Sequence, residues 1–181
     1  DIARTSAFRY ALGYVDGLAR EYGVEREELR AYAQANCRGL HGIARAFDVF
    51  EHMDGRSDNG GESEARAAMI LAGVAAPELQ VEITRPRNAG YYLADYGWQM
   101  PNGSWMLAEL HGLGKFEDDA QNDPEHTAAK TYRAALMRDA NLRAMGHNVI
   151  HFKLSDTYDV KAFGSMMRGY GIPTAKPYAD S

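Results

Sequence analysis

Two carboxylates in the middle of the chain are candidates for chemistry because a predicted β-hairpin sets them opposite each other. Two strand-like runs, residues 91–98 and 104–111, are joined by Met-Pro-Asn-Gly at residues 100–103, a sequence typical of a tight turn. This turn places Asp95 opposite Glu109, with Cβ atoms ~5 Å apart, and like charges at that separation destabilise a sheet. Either a bound Mg²⁺ or Mn²⁺ compensates them, since oxygen ligands suit these ions, or one carboxyl stays protonated beside its neighbour.

Two further side chains follow Glu109. His111 lies two residues beyond it on the same strand face, where it ligates the metal, orients a water or is an ordinary surface histidine. Lys115 follows a flexible link, residues 112–114, that could bring its ammonium over the carboxylates to hold a phosphate or stabilise a leaving oxygen. Otherwise Lys115 is a solvated surface charge. The site depends on the register, because a slip of one residue turns Asp95 to the opposite sheet face.

Glu62 fits two roles. Asn59 and Glu62 have the offset of a capping box, in which a Glu at the third helical position reaches back to the cap. Glu62 also precedes Ala65 and Met69 on the apolar face of a predicted short helix, which points it toward the sheet. It therefore either caps this helix or joins the acidic site as a third carboxylate.

The long helix predicted late in the chain carries cations. Lys130, Arg133 and Arg138, with Arg143, are predicted to lie along its exposed faces, while Asp139 lies near its apolar stripe. Charged helix faces of this kind are usually only solvated. Beside a metal site they could instead contact the phosphates of a nucleic acid, which positions the nucleic acid without reading its sequence.

The elements that must position these residues follow from hydrophobic periodicity. Residues 1–54 read as helices, and residues 1–56 form a helical appendage that ends at the turn-rich break over residues 57–61. Residues 57–181 show the order helix, three strands, helix, strand, helix, and the last strand favours a parallel, right-handed crossover. This order (αβββαβα) predicts an α/β domain with a mixed central sheet flanked by helices. The buried face of the long helix is predicted to hold Ala128, Tyr132, Ala135, Leu136, Leu142 and Met145.

Composition narrows the possible functions. The net charge of −5 argues mildly against a dedicated nucleic-acid binder, and residues 62–129 carry 11 acidic residues and four basic ones. No apolar run is long enough for a membrane span, so the sequence predicts a soluble protein without a membrane partner.

The single cysteine, Cys37, allows neither an internal disulfide nor a Cys-rich zinc site, which favours the cytoplasm. The helical surroundings of Cys37 favour a packing role over a nucleophilic one. No glycine-rich phosphate loop or nucleophile motif supports a small-molecule enzyme. Because the chain begins without Met, we expect a processed form or the tail of a longer protein.

Several short segments, taken in their order and spacing, resemble a bacterial endonuclease-like family. That family is related to the very short patch repair endonucleases within the PD-(D/E)XK nuclease superfamily. The resemblance spans roughly residues 37–154. The segments that carry it are residues 38–42 (RGLHG), 54–57 (DGRS), 61–63 (GES), 77–82 (PELQVE), 94–98 (ADYGW), 108–112 (AELHG) and 138–142 (RDANL).

The resemblance implies a restriction-endonuclease-like fold and a metal-dependent DNA endonuclease. It makes Glu62 the helical acid and Asp95 and Glu109 the strand acids that bind Mg²⁺ or Mn²⁺. His111 stands where the superfamily usually has Lys, and Lys115 is the substitute. Family members often follow a winged-helix segment of the abortive-infection antitoxin type, so DNA and an upstream winged helix are the implied partners. A second class stays open, in which the domain has lost catalysis and binds DNA or a partner in a defence or toxin–antitoxin system.

Overall fold

The computed structural model describes residues 1–86, 90–111, 124–176 and 178, without the side chains of residues 124–129 and 131. The chain forms two compact units. The helical unit is Asp1–Ala76 with Thr157–Ser181, and the sheet unit is Pro77–Asp156. The units divide after residue 76, whereas the sequence places a domain boundary after residue 56. That residues 1–56 and 57–181 are separate domains stays a prediction.

The described elements confirm the predicted order of helices and strands. They are α1 (Ile2–Thr5), α2 (Phe8–Tyr22), α3 (Arg26–Asn36), α4 (Ile43–Glu51), α5 (Gly60–Leu71), β1 (Glu78–Thr84), β2 (Tyr91–Gln99), β3 (Trp105–His111), α6 (Pro124–Ala144), β4 (Asn148–Lys153), a 3-10 helix (Leu154–Thr157) and α7 (Val160–Gly169). Helix α2 shows why the helical unit folds locally, because Phe8, Ala11, Leu12 and Val15 recur at helical spacing and are all buried. It ends at Gly23, whose φ of 65° is a left-handed conformation that glycine adopts without steric cost.

A buried ion pair ties α5 to α2 within the helical unit. Both carboxylate oxygens of Asp16 accept from Nη2 of Arg66, at 2.9 and 2.7 Å. The Asp54 backbone N–H donates to Asp16 at 2.8 Å, and Nη1 of Arg66 donates to the His52 carbonyl at 2.7 Å. Buried charges are tolerated when they are paired and hydrogen-bonded in this way. Helix α5 therefore belongs with the N-terminal helices.

The sheet unit contains a four-stranded sheet in the order β1-β2-β3-β4. Strands β1, β2 and β3 form an antiparallel meander, and β4 pairs parallel with β3. The turn between β2 and β3 closes through the Met100 N–H, which donates to the Ser104 carbonyl at 2.8 Å. The hairpin pairs Tyr96 with Ala108 and Gln99 with Trp105, which is the predicted register. The mixed sheet and the parallel crossover are thus confirmed.

Strand β2 changes the face that its side chains present near Asp95. Ala94 packs in one core with Leu142 of α6. The Tyr96 ring instead lies 5.9 Å from the ring of Phe152. Phe152 points away from α6, because its neighbour His151 is hydrogen-bonded to that helix and adjacent strand residues face opposite sides. Ala94 and Tyr96 therefore face opposite sides of the sheet.

The change of face coincides with an irregular residue in β1. Gln80 has a φ of 53°, a conformation that non-glycine residues adopt rarely. It lies between the ladder pairs Leu79↔Tyr96 and Val81↔Ala94, across from Asp95. A local irregularity of this kind rotates the strand and redirects a side chain, as β-bulges do beside functional sites. It lets Asp95, like Ala94, face α6.

The exposed start of α6 corrects one prediction. Tyr132, Ala135 and Leu136 are exposed, whereas Leu142 is buried and Met145 is half-buried. A helix of 21 residues is about 31 Å long, while strands of six or seven residues are about 20–23 Å long. The predicted apolar face is therefore covered only over its C-terminal part. No helix in the described ranges has an apolar stretch long enough to cross a membrane.

Candidate functional site

Two acidic side chains face α6 from neighbouring strands of the sheet unit. Oδ2 of Asp95 accepts a hydrogen bond from the backbone N–H of Leu110 at 2.8 Å. The neighbouring residues Tyr96 and Ala108 are paired in the ladder, and the same register places Asp95 opposite Glu109. Both acids are half-buried. The register shifted by one residue, which the sequence left open, is therefore wrong.

An arginine of α6 compensates these carboxylates. Nη2 of Arg138 forms an ion pair with Oε1 of Glu109, and the two side chains are 28% and 15% exposed. The sequence predicted Arg138 on an exposed helix face, and the structure corrects this. Helix α6 turns positions 138, 139 and 142 toward the strands. The sequence offered a metal ion or a shared proton as compensation. The described structure supplies a guanidinium.

The charge of Asp95 also acts on this arginine. Burial lowers the pKa of Arg138, and the carboxylates of Asp139 and Asp95 raise it in part, while the charge of Arg85 lowers it. An arginine nevertheless stays protonated in proteins. Since Asp95 acts on the same guanidinium that Glu109 contacts, both strand acids face α6. Three carboxylates, those of Asp95, Glu109 and Asp139, thus lie near the half-buried guanidinium of Arg138.

A carboxylate–histidine pair lies beside this arginine. Oδ2 of Asp139 lies 2.8 Å from Nε2 of His151, which stands across from Glu109 in the parallel β3–β4 pair. Asp139 is 8% exposed, and its Oδ1 is buried without a hydrogen-bond partner among the described residues. Arg143, one helical turn further along, reaches Asp139 only at 3.8 Å and is 58% exposed. Asp139 therefore orients His151 through Oδ2, while its Oδ1 accepts no hydrogen bond from the described residues.

His111 reaches this group through a ring contact. Its ring stacks on that of His151, with centroids 4.7 Å apart and an angle of 19°. The end of β3 thus brings His111 to the same side of the sheet as Glu109, as strand alternation predicts. We call these residues the charge cluster, which consists of Asp95, Glu109, His111, Arg138, Asp139 and His151.

The charge cluster meets only part of what a divalent metal requires. Asp95 and Glu109 offer oxygen ligands of the kind that Mg²⁺ and Mn²⁺ prefer. Among the side chains that the structure describes, however, no three His, Cys, Asp or Glu are arranged to hold a metal ion. Arg138 already neutralises Glu109. A divalent cation therefore does not fit this arrangement while the guanidinium stays in place.

Glu62 lies in the helical unit and is engaged at the start of α5. Asn59 caps the helix, since its side chain accepts from the Glu62 backbone N–H at 3.0 Å. The Glu62 carboxylate accepts from the Asp58 N–H and from the Asn59 side-chain amide, each at 2.8 Å. The predicted cap is confirmed at Asn59, while the Glu62 carboxylate reaches back to the Asp58 N–H and the Asn59 side chain, which is part of the predicted capping box. The role of Glu62 as third acid of a metal site stays a prediction.

The other predicted site residues lie outside the charge cluster or outside the described residues. Lys130 and Arg133 are exposed on α6, where they are accessible to a phosphate backbone. Lys115 falls within residues 112–123, which lie outside the described part of the chain. The roles of these three cations stay predictions.

Cys37 belongs to a different part of the molecule. It is half-buried at the end of α3. Together with Leu18, Leu29 and Phe50 it lines an apolar cavity of about 150 Å³ in the helical unit. These surroundings agree with the packing role that the sequence favours.

The pair Asp139–His151 is the part of the site that sequence reasoning missed. A signal exists for Asp139, which precedes the buried Leu142 by three positions and so shares its helix face. The sequence contains no comparable signal for His151. Its position beside Glu109 depends on the register of a parallel pair, which a crossover of more than 30 residues does not specify.

Comparison with known proteins yields a partial match. Two curated proteins from two strains of Mycobacterium tuberculosis, both described only as uncharacterized, are 34% identical to this chain over 98 residues. The matched stretch is 54% of this chain and 35% of each relative, so the chain spans about a third of the curated relatives it matches. No family model matches. No solved structure matches either.

Proposed function

We propose that the sheet unit is the core of a metal-dependent DNA endonuclease domain that hydrolyses phosphodiester bonds. One observation carries the proposal: Asp95 and Glu109 approach one side of the sheet from neighbouring strands and act on the same half-buried arginine. Paired carboxylates on a sheet cost stability, so a chain that places them together gains from a ligand that they hold. The restriction-endonuclease-like arrangement of the elements is part of this proposal.

Different residues would bind the metal, orient the attacking water and position the DNA. Asp95 and Glu109 would hold Mg²⁺ or Mn²⁺ once Arg138 is displaced, and the bound ion would polarise a phosphate oxygen and activate a water. His111, on the same strand face as Glu109, would orient that water through a hydrogen bond. Lys130 and Arg133, exposed on α6, would position the DNA backbone. We place this chemistry in the cytoplasm, in a longer chain with an upstream winged helix.

A second candidate is a non-catalytic module that binds DNA or a protein partner in a defence or toxin–antitoxin system. The ion pair between Arg138 and Glu109 favours it, because a carboxylate already neutralised by a guanidinium has no need of a metal. In this case the acids stabilise the fold and do no chemistry. The two candidates differ in what a metal does to the protein.

A cleavage assay tests the first candidate. Supercoiled and single-stranded DNA are incubated with the protein in Mg²⁺, Mn²⁺ or chelator. We expect weak cleavage that requires the metal and that falls by about 10²-fold or more in Asp95→Asn and Glu109→Gln, because a group that organises the transition state is worth that much. Glu82→Gln, which changes an exposed acid of β1, is the matched control and keeps its activity.

Two outcomes decide against an endonuclease. Cleavage that persists in Glu109→Gln belongs to a contaminating nuclease. Absence of cleavage in every metal, together with retained DNA binding, favours the second candidate. The change His111→Lys separates the two further, since it restores the usual superfamily residue and improves or maintains a weak nuclease but leaves a binding module inert.

Metal-induced stabilisation is a readout that does not depend on turnover. A ligand that binds only the folded state adds about 2.7 kcal/mol at a concentration of 100 Kd. For a chain of this size that corresponds to a Tm increase of roughly 5–11 °C. We expect Mn²⁺ to give such an increase in the wild type and in Glu82→Gln, and to give little in Asp95→Asn. An equal shift in all three proteins would place the metal elsewhere.

A further inference from the structure

The carboxyl ends of strands β3 and β4 carry two imidazoles and one ammonium on the same side of the sheet. The parallel register pairs Glu109 with His151 and His111 with Lys153. Val149 shares a core with the buried end of α6, and the residues two and four positions beyond it in β4 face the same side. His111, His151 and Lys153 therefore lie side by side at the end of the parallel pair.

Two contacts hold the ring of His151. Its Nε2 lies 2.8 Å from Oδ2 of Asp139, whose side chain is 11% exposed, and the ring stacks on that of His111 at 4.7 Å. An ionised carboxylate only accepts hydrogen bonds, so Nε2 carries the proton and Nδ1 of the neutral ring is an acceptor. The His151 side chain is 27% exposed, which leaves it accessible to a ligand. A histidine held in this way is arranged to take a proton through Nδ1.

Lys153 adds a positive charge beside this ring. It lies two residues after His151 on the same strand face and is exposed. Its backbone N–H donates to Oδ2 of Asp156 at 2.8 Å, which fixes the chain where the strand ends. An ammonium at this position can stabilise negative charge that develops on a phosphate next to His151.

RNA is the nucleic acid that such an arrangement can cleave without a metal. Among the described side chains no three His, Cys, Asp or Glu are arranged to hold a metal ion, and Arg138 is paired with Glu109. Hydrolysis of DNA needs an activated water, whereas RNA carries a nucleophile, the ribose 2′-hydroxyl, beside each phosphate. Because this nucleophile is already in position, a base and a nearby positive charge are sufficient.

We propose that His151, oriented by Asp139, is the base of a site that cleaves RNA without a divalent metal. Nδ1 of His151 takes the proton of the 2′-hydroxyl as the 2′-oxygen forms its bond to phosphorus. The bond from phosphorus to the 5′-oxygen of the next nucleotide breaks, and that oxygen takes a proton from water. His151 then returns its proton to the solvent. The products are a 2′,3′-cyclic phosphate and a 5′-hydroxyl, and no further reactant is consumed.

This activity goes beyond the proposed endonuclease and does not rest on it. Asp95 and Glu109 are not ligands in it, and Arg138 keeps its ion pair with Glu109. Asp139 is a positioning residue, since it acts on the reaction only through His151. The ammonium of Lys153 contacts the phosphate.

The test is cleavage of a fluorescently labelled RNA oligonucleotide in excess chelator. DNA of the same sequence and the corresponding 2′-O-methyl RNA are the comparison substrates, because neither carries the nucleophile. We expect the wild type to cleave only the unmodified RNA, and mass spectrometry to identify 2′,3′-cyclic phosphate ends. Absence of RNA cleavage in chelator overturns the inference, and so does metal-free cleavage of either comparison substrate.

Variants of the base and its partner assign the roles. His151→Ala is expected to lower kcat by about 10²-fold or more, and added imidazole is expected to restore part of the loss, because it replaces the missing base. Asp139→Asn is expected to lower kcat by about tenfold or more with KM within about twofold, since an amide can donate to Nε2 and so place the ring proton on Nδ1. If His151→Ala does not fold, as checked by circular dichroism, His151→Gln takes its place. A His151 variant that cleaves RNA as fast as the wild type refutes the role of His151 and indicates a contaminating ribonuclease.

A charge variant and a matched histidine control complete the set. Lys153→Gln is expected to lower kcat/KM by about tenfold, while Lys153→Arg keeps most of the activity, because the positive charge is retained. His41→Ala removes an exposed histidine of the helical unit and is expected to stay within about twofold of the wild type. An equal loss in His41→Ala and His151→Ala would contradict the assignment.

The outcomes separate this activity from the proposed function. RNA cleavage in chelator, together with no DNA cleavage in any metal, supports the inference and refutes the endonuclease. DNA cleavage that requires Mn²⁺ and is lost in Asp95→Asn, without RNA cleavage in chelator, supports the endonuclease and refutes the inference. If neither nucleic acid is cleaved under any condition, both are refuted.

Discussion

The buried ion pair of the helical unit is the interaction whose loss we expect to cost most stability. In Asp16→Asn the side chain keeps its shape, and its amide oxygen still accepts from the Asp54 N–H, but the carboxylate charge is lost. Arg66 then stays buried without a counter-charge, because the Asp16 and Arg66 side chains are 0% and 6% exposed. Removal of one partner from a buried pair costs about 3–5 kcal/mol. For a chain of this size that is a decrease in Tm of roughly 6–20 °C.

The assay is thermal unfolding followed by circular dichroism at neutral pH, supported by urea titration. Glu51→Gln is the matched control, since Glu51 pairs with Arg26 and Arg30 at the surface and its side chain is 49% exposed. An exposed pair of this kind contributes about 0–1 kcal/mol. The double change Asp16→Asn with Arg66→Met is expected to recover part of the loss, because an apolar replacement removes the uncompensated charge. A loss in Asp16→Asn no larger than that in Glu51→Gln would refute the reasoning.

Two further predictions concern the backbone of the sheet and one histidine beside it. Gly97→Ala is expected to destabilise the protein by about 1–3 kcal/mol, because a Cβ at position 97 would lie 2.8 Å from Cγ2 of Val81. Gly60→Ala is expected to stabilise it by about 0.4–1 kcal/mol, because a Cβ at position 60 would have no atom within 4 Å among the described residues. Urea denaturation measures both changes, and equal effects would contradict the packing argument. Burial lowers the pKa of His147, whose Nδ1 accepts a hydrogen bond from the Trp105 N–H at 3.1 Å. The neutral His147 side chain therefore contributes fully to stability above the ordinary pKa of 6.5, and this contribution is lost as the pH falls through the lowered pKa. His147→Asn keeps an acceptor for Trp105 and is expected to be less sensitive to pH below 6.5 in the same denaturation series. A wild-type stability that does not change across this pH range would contradict the prediction.

The sequence by itself determined the hairpin and the opposition of its two acids. The turn at residues 100–103 favours the register to which the observed pair Tyr96↔Ala108 belongs, although the sequence left a slip of one residue open. The cap of α5 by Asn59 was predictable for the same reason, since the cap and the backbone N–H that it accepts from lie three residues apart. Turns, caps and hairpins depend on residues close in the chain, so their geometry is encoded locally.

Only the tertiary structure decided what compensates those acids. The sequence placed Arg138 on an exposed face and left the carboxylates to a metal or a proton, whereas the folded chain turns Arg138 onto Glu109 and Asp139 onto His151. The rotation of α6 about its axis, its extension beyond the strands and the register of β4 are set by packing between distant segments. Periodicity shows that a segment has a face to bury, but it carries no information about which side chain of another segment will lie opposite. A charge pair formed by residues 29 positions apart is therefore a property of the fold and not of any stretch of sequence.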